Sequence, residues 1–327
     1  MEGKLLIVGS GSIGRRHTKN ARKLGVSVVI CDTDFERAKE VAEEVGAEGC
    51  YSSYQEACEK EKDIAVAVIA TPSQFHIEQA IFLSNREVHI LVEKPLAVEM
   101  NGIDSLIKII HEKNVVAMMA QSYRFHEGYL LIKKMLNDQV IGKVYHVNLF
   151  GGHYLPDWHP MIDYRIEYTA QKKLGGGALL TSMSHTFDSV CWLFGEVQEL
   201  IGWKAKLSDL EIDVDDSVFC LMKTNQHIII ECQTDFLQRV PEHRMVIVGE
   251  KGTIHADFIQ HTILIGRAGK EEPEVIQYAF DPNKRYFDEL RHFIFLVDQK
   301  VTNHDLDIYA GKRVVELLLN DKITAML

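Results

Sequence analysis

The sequence predicts an α/β chain of two domains: an N-terminal doubly wound parallel sheet, then a C-terminal α+β domain with a large, mostly antiparallel open sheet. Three observations carry this. The first 120 or so residues alternate short Val- and Ile-rich runs with helical patterns, as in a parallel sheet covered on both faces. The first of those runs leads into a glycine-patterned turn. Beyond about residue 121 the strand-like runs alternate apolar with polar side chains, which suits a sheet with one face on helices and the other partly open. A chain of 327 residues can bury two cores, and the division is placed at 1–121 and 122–327.

In the first domain the strand candidates are Leu5–Val8, Val26–Cys31, Ile64–Ala70, Val88–Val92 and Val115–Met119. Helical patterns fall between them at Arg15–Leu24, Phe35–Val45, Ser53–Lys60, Phe75–Ser84 and Gly102–His111, so right-handed β-α-β crossovers are expected. The second domain opens with a helix, Tyr129–Leu136, and a strand, Lys143–Phe150. A polar, aromatic loop from Gly151 to Ala170 and a Gly175-Gly176-Gly177 run precede a helix over Ala178–Leu193. Strands are expected at Val197–Lys206, Val218–Lys223, Ile228–Thr234, Met245–Val248, Thr253–Ala256 and Thr262–Ile265. Helices at Tyr286–Gln299 and Ile308–Leu319 close the chain and are expected to return to the first domain.

The formal net charge is −11, so no global basic field draws nucleic acid or an anionic membrane. No apolar stretch approaches the roughly 20 residues of a membrane helix. The N-terminal segment runs into an apolar strand without a signal-peptide pattern, and a cytoplasmic location is expected. The cysteines at 31, 50, 58, 191, 220 and 232 form no CxxC pair. They read as buried or incidental thiols, and no metal is expected.

Lys4-Leu5-Leu6-Ile7-Val8-Gly9-Ser10-Gly11-Ser12-Ile13-Gly14 is an apolar strand followed by GxGxxG. Gly9 permits the tight turn, Gly11 lets a pyrophosphate approach the backbone, and Gly14 lets the helix pack on the strand. Ser12 and Ile13 open that helix, whose unpaired N–H groups and dipole favour phosphate. This is the Rossmann arrangement. Asp32 follows the second strand at about the spacing at which an acid accepts from the adenosine ribose, which favours NAD over NADP.

Further stretches resemble the Gfo/Idh/MocA dehydrogenases over nearly the whole length. They are Ala70-Thr71-Pro72-Ser73-Gln74-Phe75-His76, Val92-Glu93-Lys94-Pro95, and Gly175-Gly176-Gly177-Ala178-Leu179-Leu180-Thr181-Ser182-Met183-Ser184-His185 with Asp188 a turn later. The resemblance implies NAD(P)-dependent oxidation or reduction of sugars, polyols or nucleotide-linked sugars. It implies that Lys94 and His185 are the catalytic pair, His185 as general acid/base. Thr71, Pro72, Ser73, His76 and Glu93 join Lys94 at strand C-terminal ends, where ligands of open α/β sheets bind, and Gln121 is expected to reach the nicotinamide. The family's Asp at one helical turn before the histidine is replaced by Thr181, which can hydrogen-bond a substrate hydroxyl but carries no charge. Asp188 is read as either orienting His185 or packing the helix. Whether Lys94-Pro95 is cis stays open.

On the substrate side, Arg124 is expected either to orient substrate or to bridge domains. In the loop, Trp158, His159, Tyr164 and Arg165 offer aromatic surfaces and polar partners suited to a carbohydrate, Arg165 as a bidentate anion clamp. An inter-subunit arm is the alternative for that loop. The open sheet face leads to the expectation of a homodimer or homotetramer. Two other functions stay open: a non-catalytic dinucleotide- or sugar-binding regulatory protein, kept in view by Thr181, and a reductase of a non-sugar substrate.

Overall fold

The structure, a computed structural model, describes residues 2–326. It divides into two compact units: residues up to Ser122 together with Asn283–Val315, and Tyr123–Pro282 together with Glu316 onwards.

The first unit holds a six-stranded parallel sheet in the order β3-β2-β1-β4-β5-β6. Its strands are β1 (Lys4–Val8), β2 (Val28–Cys31), β3 (Gly49–Tyr51), β4 (Ile64–Ile69), β5 (His89–Glu93) and β6 (Ala117–Ala120). The helices between them are α1 (Ser12–Lys23), α2 (Phe35–Val45), α3 (Tyr54–Lys60), α4 (His76–Ser84) and α5 (Ile103–Lys113). Leu6, Val29, Ala67, Ile69, Ile90 and Val92 are fully buried, which is why these strands read as unbroken apolar runs. Strand β3 escapes that signal: it is an edge strand of three half-buried residues without a branched aliphatic side chain. The first two residues of the expected second strand, Val26 and Ser27, lie outside β2, because Val26 N closes the end of α1 on Ala21 O.

In the second unit, α6 (Glu127–Asn137) is followed by β7 (Val144–Gly152) and the loop. Leu179–Met183 then forms a π-helical turn leading into α7 (Ser184–Phe194), so the expected single helix is two segments. Strands β8 (Val197–Ala205), β9 (Ser217–Thr224), β10 (Ile229–Asp235), β11 (Glu242–Gly249), β12 (Gly252–Asp257), β13 (Thr262–Arg267) and β14 (Glu274–Gln277) follow. Helices α8 (Lys284–Asp298) and α9 (Ile308–Leu318) and strand β15 (Ile323–Ala325) end the chain. The sheet has nine strands in the order β14-β13-β12-β11-β7-β10-β9-β8-β15. Its pairs are antiparallel except β7 with β10 and β8 with β15. Both β14 and β15 are short, exposed edge strands, and for that reason their patterns carry little signal.

One face of this sheet is core: Val147, Leu149, Val218, Cys220, Ile230, Cys232, Met245 and Ile247 are buried. On the other, Ile201, Trp203, Leu221 and Ile229 are exposed. The register pairs Ile201 with Leu221 and Trp203 with Phe219, so these four side chains make an apolar strip, with Ile229 diagonal to Leu221 on the next strand. No helix among the described residues is long and apolar enough to cross a membrane.

Candidate functional site

Helix α1 packs so tightly on the turn before it that a Cβ on Gly14 would stand 1.9 Å from Gly9 O. Gly9 has φ +94°, and a Cβ there would meet Ala70 O at 2.8 Å. Gly11 differs: a Cβ would meet nothing within 4 Å. The chain's own packing therefore does not require glycine at 11, whereas the approach of a phosphate to the backbone does. Ser12 is exposed and Ile13 half-buried at the start of α1.

At the end of β2, the Asp32 carboxylate accepts from Ser10 N (2.7 Å) and Ser10 Oγ (2.8 Å). Asp34 N (2.9 Å) and Arg37 Nη2 (2.7 Å) bond its other oxygen. Burial pushes its pKa up, but these donors outweigh burial and hold it below the ordinary range. It is thus a fixed anion, tied to the glycine turn through Ser10.

Thr71, Pro72 and Ser73 follow β4; the Thr71 hydroxyl donates to Gln79 Oε1 (2.7 Å), and Ser73 is buried. His76 is wholly buried, with Nδ1 2.9 Å from Pro95 O and Nε2 2.8 Å from Thr71 O. Burial lowers its pKa against those two bonds. It fastens two loops together, so the expectation that it lines the dinucleotide site is corrected. Glu93 is likewise engaged within the protein. Its carboxylate points inward, with Oε1 2.9 Å from His17 Nε2. Burial raises its pKa, but His17 and Lys94 together hold it low. Lys94, joined to Pro95 by a cis peptide bond, is half-buried. Burial lowers the pKa of its ammonium and the Glu93 charge opposes this. Gln121 is 1% exposed, and neither atom of its amide has a hydrogen-bond partner. A buried amide without partners is costly, and a nicotinamide carboxamide would satisfy it. The glycine turn, Asp32 and Gln121 therefore fit a dinucleotide.

In the second unit, the imidazole of half-buried His185 stacks on Tyr123, with centroids 4.4 Å apart and planes at 13°. Tyr123 also lies against Tyr129 and His243. The Tyr129 hydroxyl is 2.9 Å from His243 Nε2. Arg124 forks onto Asp188, with Nε at 2.9 Å and Nη2 at 2.7 Å; both residues are buried. The Thr181 hydroxyl donates to Gly177 O (2.7 Å), one turn back.

The family model described as "Oxidoreductase family, NAD-binding Rossmann fold" matches residues 4–121, and the "GFO/IDH/MocA C-terminal domain" matches 129–255. The chain belongs to the Gfo/Idh/MocA oxidoreductases. It is 24% identical over 299 residues to myo-inositol 2-dehydrogenase of Thermotoga maritima, covering 88% of this chain and 86% of that protein. It is 26% identical over 272 residues to 2,7-anhydro-N-acetylneuraminate hydratase of Mediterraneibacter gnavus, covering 81% and 70%. Its fold is similar to that of levoglucosan dehydrogenase in complex with NADH, with a TM-score of 0.86 at 20% identity over 96% of this chain and 94% of that one.

In this Gfo/Idh/MocA chain the residues expected on the substrate side have partners within the protein. Arg124 is held in a buried bidentate ion pair, and the same pair takes Asp188 away from orienting His185. Arg165 closes its fork on Asp163 (2.9 and 2.7 Å) and its third corner on Glu211 (3.0 Å), so it is a strut within the loop. His159 pairs with Glu167 (2.5 Å), and the Tyr164 hydroxyl accepts from Glu211 N (3.2 Å). Trp158 is half-buried, edge-on to Phe236, and donates to His153 O (3.0 Å).

Three side chains escape the sequence reading: Arg37 on Asp32, Tyr123 on His185, and Glu289 beside Glu93. The last was legible in principle. Glu289, Phe293 and Leu296 share one face of α8, and an acid on an apolar stripe is a buried acid.

Three expectations follow. Gly14→Ala lowers stability by about 1–3 kcal/mol through overpacking, read as a lower Tm. Gly11→Ala keeps wild-type Tm but weakens NADH binding at least about tenfold in calorimetry. Asp188→Ala strands the buried Arg124 guanidinium and costs about 3–5 kcal/mol in denaturant unfolding.

Proposed function

We propose that the protein is an NAD-dependent dehydrogenase or reductase of a sugar, polyol or nucleotide-linked sugar. The observation that carries the reading is the fixed Asp32 anion tied by Ser10 to a glycine turn whose Gly11 is open to a ligand. A carbohydrate substrate is supported by the relatives named after inositol, levoglucosan and an anhydro-sialic acid. On this reading residues 1–121 bind the dinucleotide and 122–327 bind substrate and mediate assembly. NAD, when bound, supplies the hydride acceptor or donor. Lys94 donates a hydrogen bond to the reacting oxygen. His185 takes the hydroxyl proton as hydride leaves the same carbon, and returns it in the reverse direction. Stacking on Tyr123 fixes the plane of the His185 ring.

A second reading, a non-catalytic regulatory protein of the same fold, draws on Thr181. Its hydroxyl proton is engaged by Gly177 O, and it brings no charge to the place where the family has Asp. Lys94→Ala and His185→Ala distinguish the two readings. Catalysis predicts that both keep NADH affinity and lose about 10²–10⁴-fold in kcat on a sugar or nucleotide-sugar substrate. Full turnover in both variants sinks the assignment of these residues. Absence of turnover in the wild type on every carbohydrate tested, with NADH still bound, favours the regulatory reading.

The apolar strip of Ile201, Trp203, Leu221 and Ile229 supports a homo-oligomer built face to face on this sheet. Light scattering is expected to give a dimer or tetramer, and Leu221→Asp a smaller species. A wild-type monomer would contradict it.

A further inference from the structure

We infer that Glu289 is held as a neutral carboxylic acid, and that His17, Glu93 and Glu289 form one buried proton-sharing cluster that positions the Glu93-Lys94-Pro95 turn. The cluster lies wholly within the first unit and joins α1, the end of β5 and α8. Ligand-type atoms of the three side chains lie within 4.8 Å of one another. His17 and Glu289 are 0% exposed and Glu93 is 8% exposed. His17 Nε2 meets Glu93 Oε1 at 2.9 Å, and Lys94 N meets Glu93 Oε2 at 3.3 Å. Neither oxygen of Glu289 has a hydrogen-bond partner, nor does His17 Nδ1.

Two ionised carboxylates this close and this deeply buried repel strongly. The cluster already assigns the charge. Glu93 has partners in His17 Nε2 and the Lys94 amide, so it is the anion. Both Glu289 oxygens are buried without a partner in the same 4.8 Å cluster, and a proton on Glu289 removes the second negative charge from it. Burial and the Glu93 charge both push the Glu289 pKa well up, against Arg285. The other titratable or charged groups facing the cluster are Lys94 and Tyr286 in the first unit, with His76 from α4 acting on Glu93. As two carboxyls sharing a site, Glu93 and Glu289 titrate as a pair. The same arrangement places Glu289 one contact from the segment that presents Lys94. It makes Glu289 a positioning residue, and its consequence for turnover rests on the role proposed for Lys94.

The pH dependence has a definite sign. Folded Glu289 keeps a proton that the unfolded chain has lost above the ordinary glutamate range. Its contribution to stability is therefore full below that range and is lost as pH rises towards the folded pKa. Glu289→Gln removes this dependence while keeping shape and a donor; because the two carboxyls titrate as a pair, the difference between the proteins reports the proton that the pair holds.

The experiment compares the full-length wild type with Glu289→Gln and Glu289→Leu. Wild type should show the infrared carbonyl band of a buried protonated acid at neutral pH, absent from Glu289→Gln. The Tm of Glu289→Gln relative to wild type should rise steadily from mildly acidic to mildly alkaline pH. Hydrogen exchange of the segment around Glu93 and Lys94 should speed up in Glu289→Leu and stay slow in Glu289→Gln. Turnover should fall about tenfold in kcat in Glu289→Leu and be retained in Glu289→Gln. A missing band, a pH-independent Tm difference or unchanged exchange in Glu289→Leu overturns the inference. So does stoichiometric metal in wild type that is lost with folding in Glu289→Gln. Band, Tm and exchange need no substrate. If they behave as expected while Lys94→Ala keeps full turnover, the cluster stands and the catalytic role of Lys94 falls.

Discussion

The first unit depends on the approach of α1 to the end of β1, where a methyl group at Gly14 would stand 1.9 Å from Gly9 O. That contact fixes how the helix leaves the turn. It leaves the backbone at Gly11 open, and it puts Gly14, His17, Thr18 and Ala21 on the buried face of α1. Ser10, held in the same turn, reaches Asp32 with both its amide and its hydroxyl. His17, one helical turn on, reaches Glu93. One steric constraint thus aligns the glycine turn, Asp32 and the strand end that carries Lys94. It also explains why α8, from the far end of the sequence, is part of this unit. Helix α8 packs against α1, and Asn20 of α1 is hydrogen-bonded to Asn283 at the N-terminus of α8.

The second unit rests on a different device. Its helix begins with a π-helical turn, and the Asp215 carboxylate accepts from Leu179 N (2.7 Å) at its start. Burial raises the Asp215 pKa against that bond. Further along, the buried Arg124–Asp188 pair ties α7 to the segment before α6, and Tyr123, the neighbour of Arg124, lies flat on His185. A buried ion pair of this kind fixes geometry more than it adds stability. Here the geometry fixed is that of the one imidazole with a proposed acid–base role.

The glycine turn, Asp32 and the strand ends at Thr71 and Glu93 were legible in the sequence because each depends on local order: strand, turn, helix, at set spacing. The partners of those residues were less legible, since they come from distant segments. Nothing near Glu93 in the chain indicates that His17 turns it inward, and nothing near Arg124 indicates Asp188. The same limit applies to Arg165, whose two acids, Asp163 and Glu211, make it a strut where a free guanidinium was expected. Strands β3, β14 and β15 were missed for a different reason. They are short edge strands whose side chains are half-exposed, so neither period nor apolarity marks them.

The central claim is that the glycine turn and Asp32 form a site for NAD. Calorimetric titration of the full-length protein with NADH and with NADPH tests it most directly. NADH is expected to bind more tightly, because a 2′-phosphate would meet the Asp32 charge. Binding of neither dinucleotide would contradict it. Tighter binding of NADPH would mean that Arg37 leaves Asp32 to read the phosphate, and the assignment of Asp32 as the ribose partner would fail.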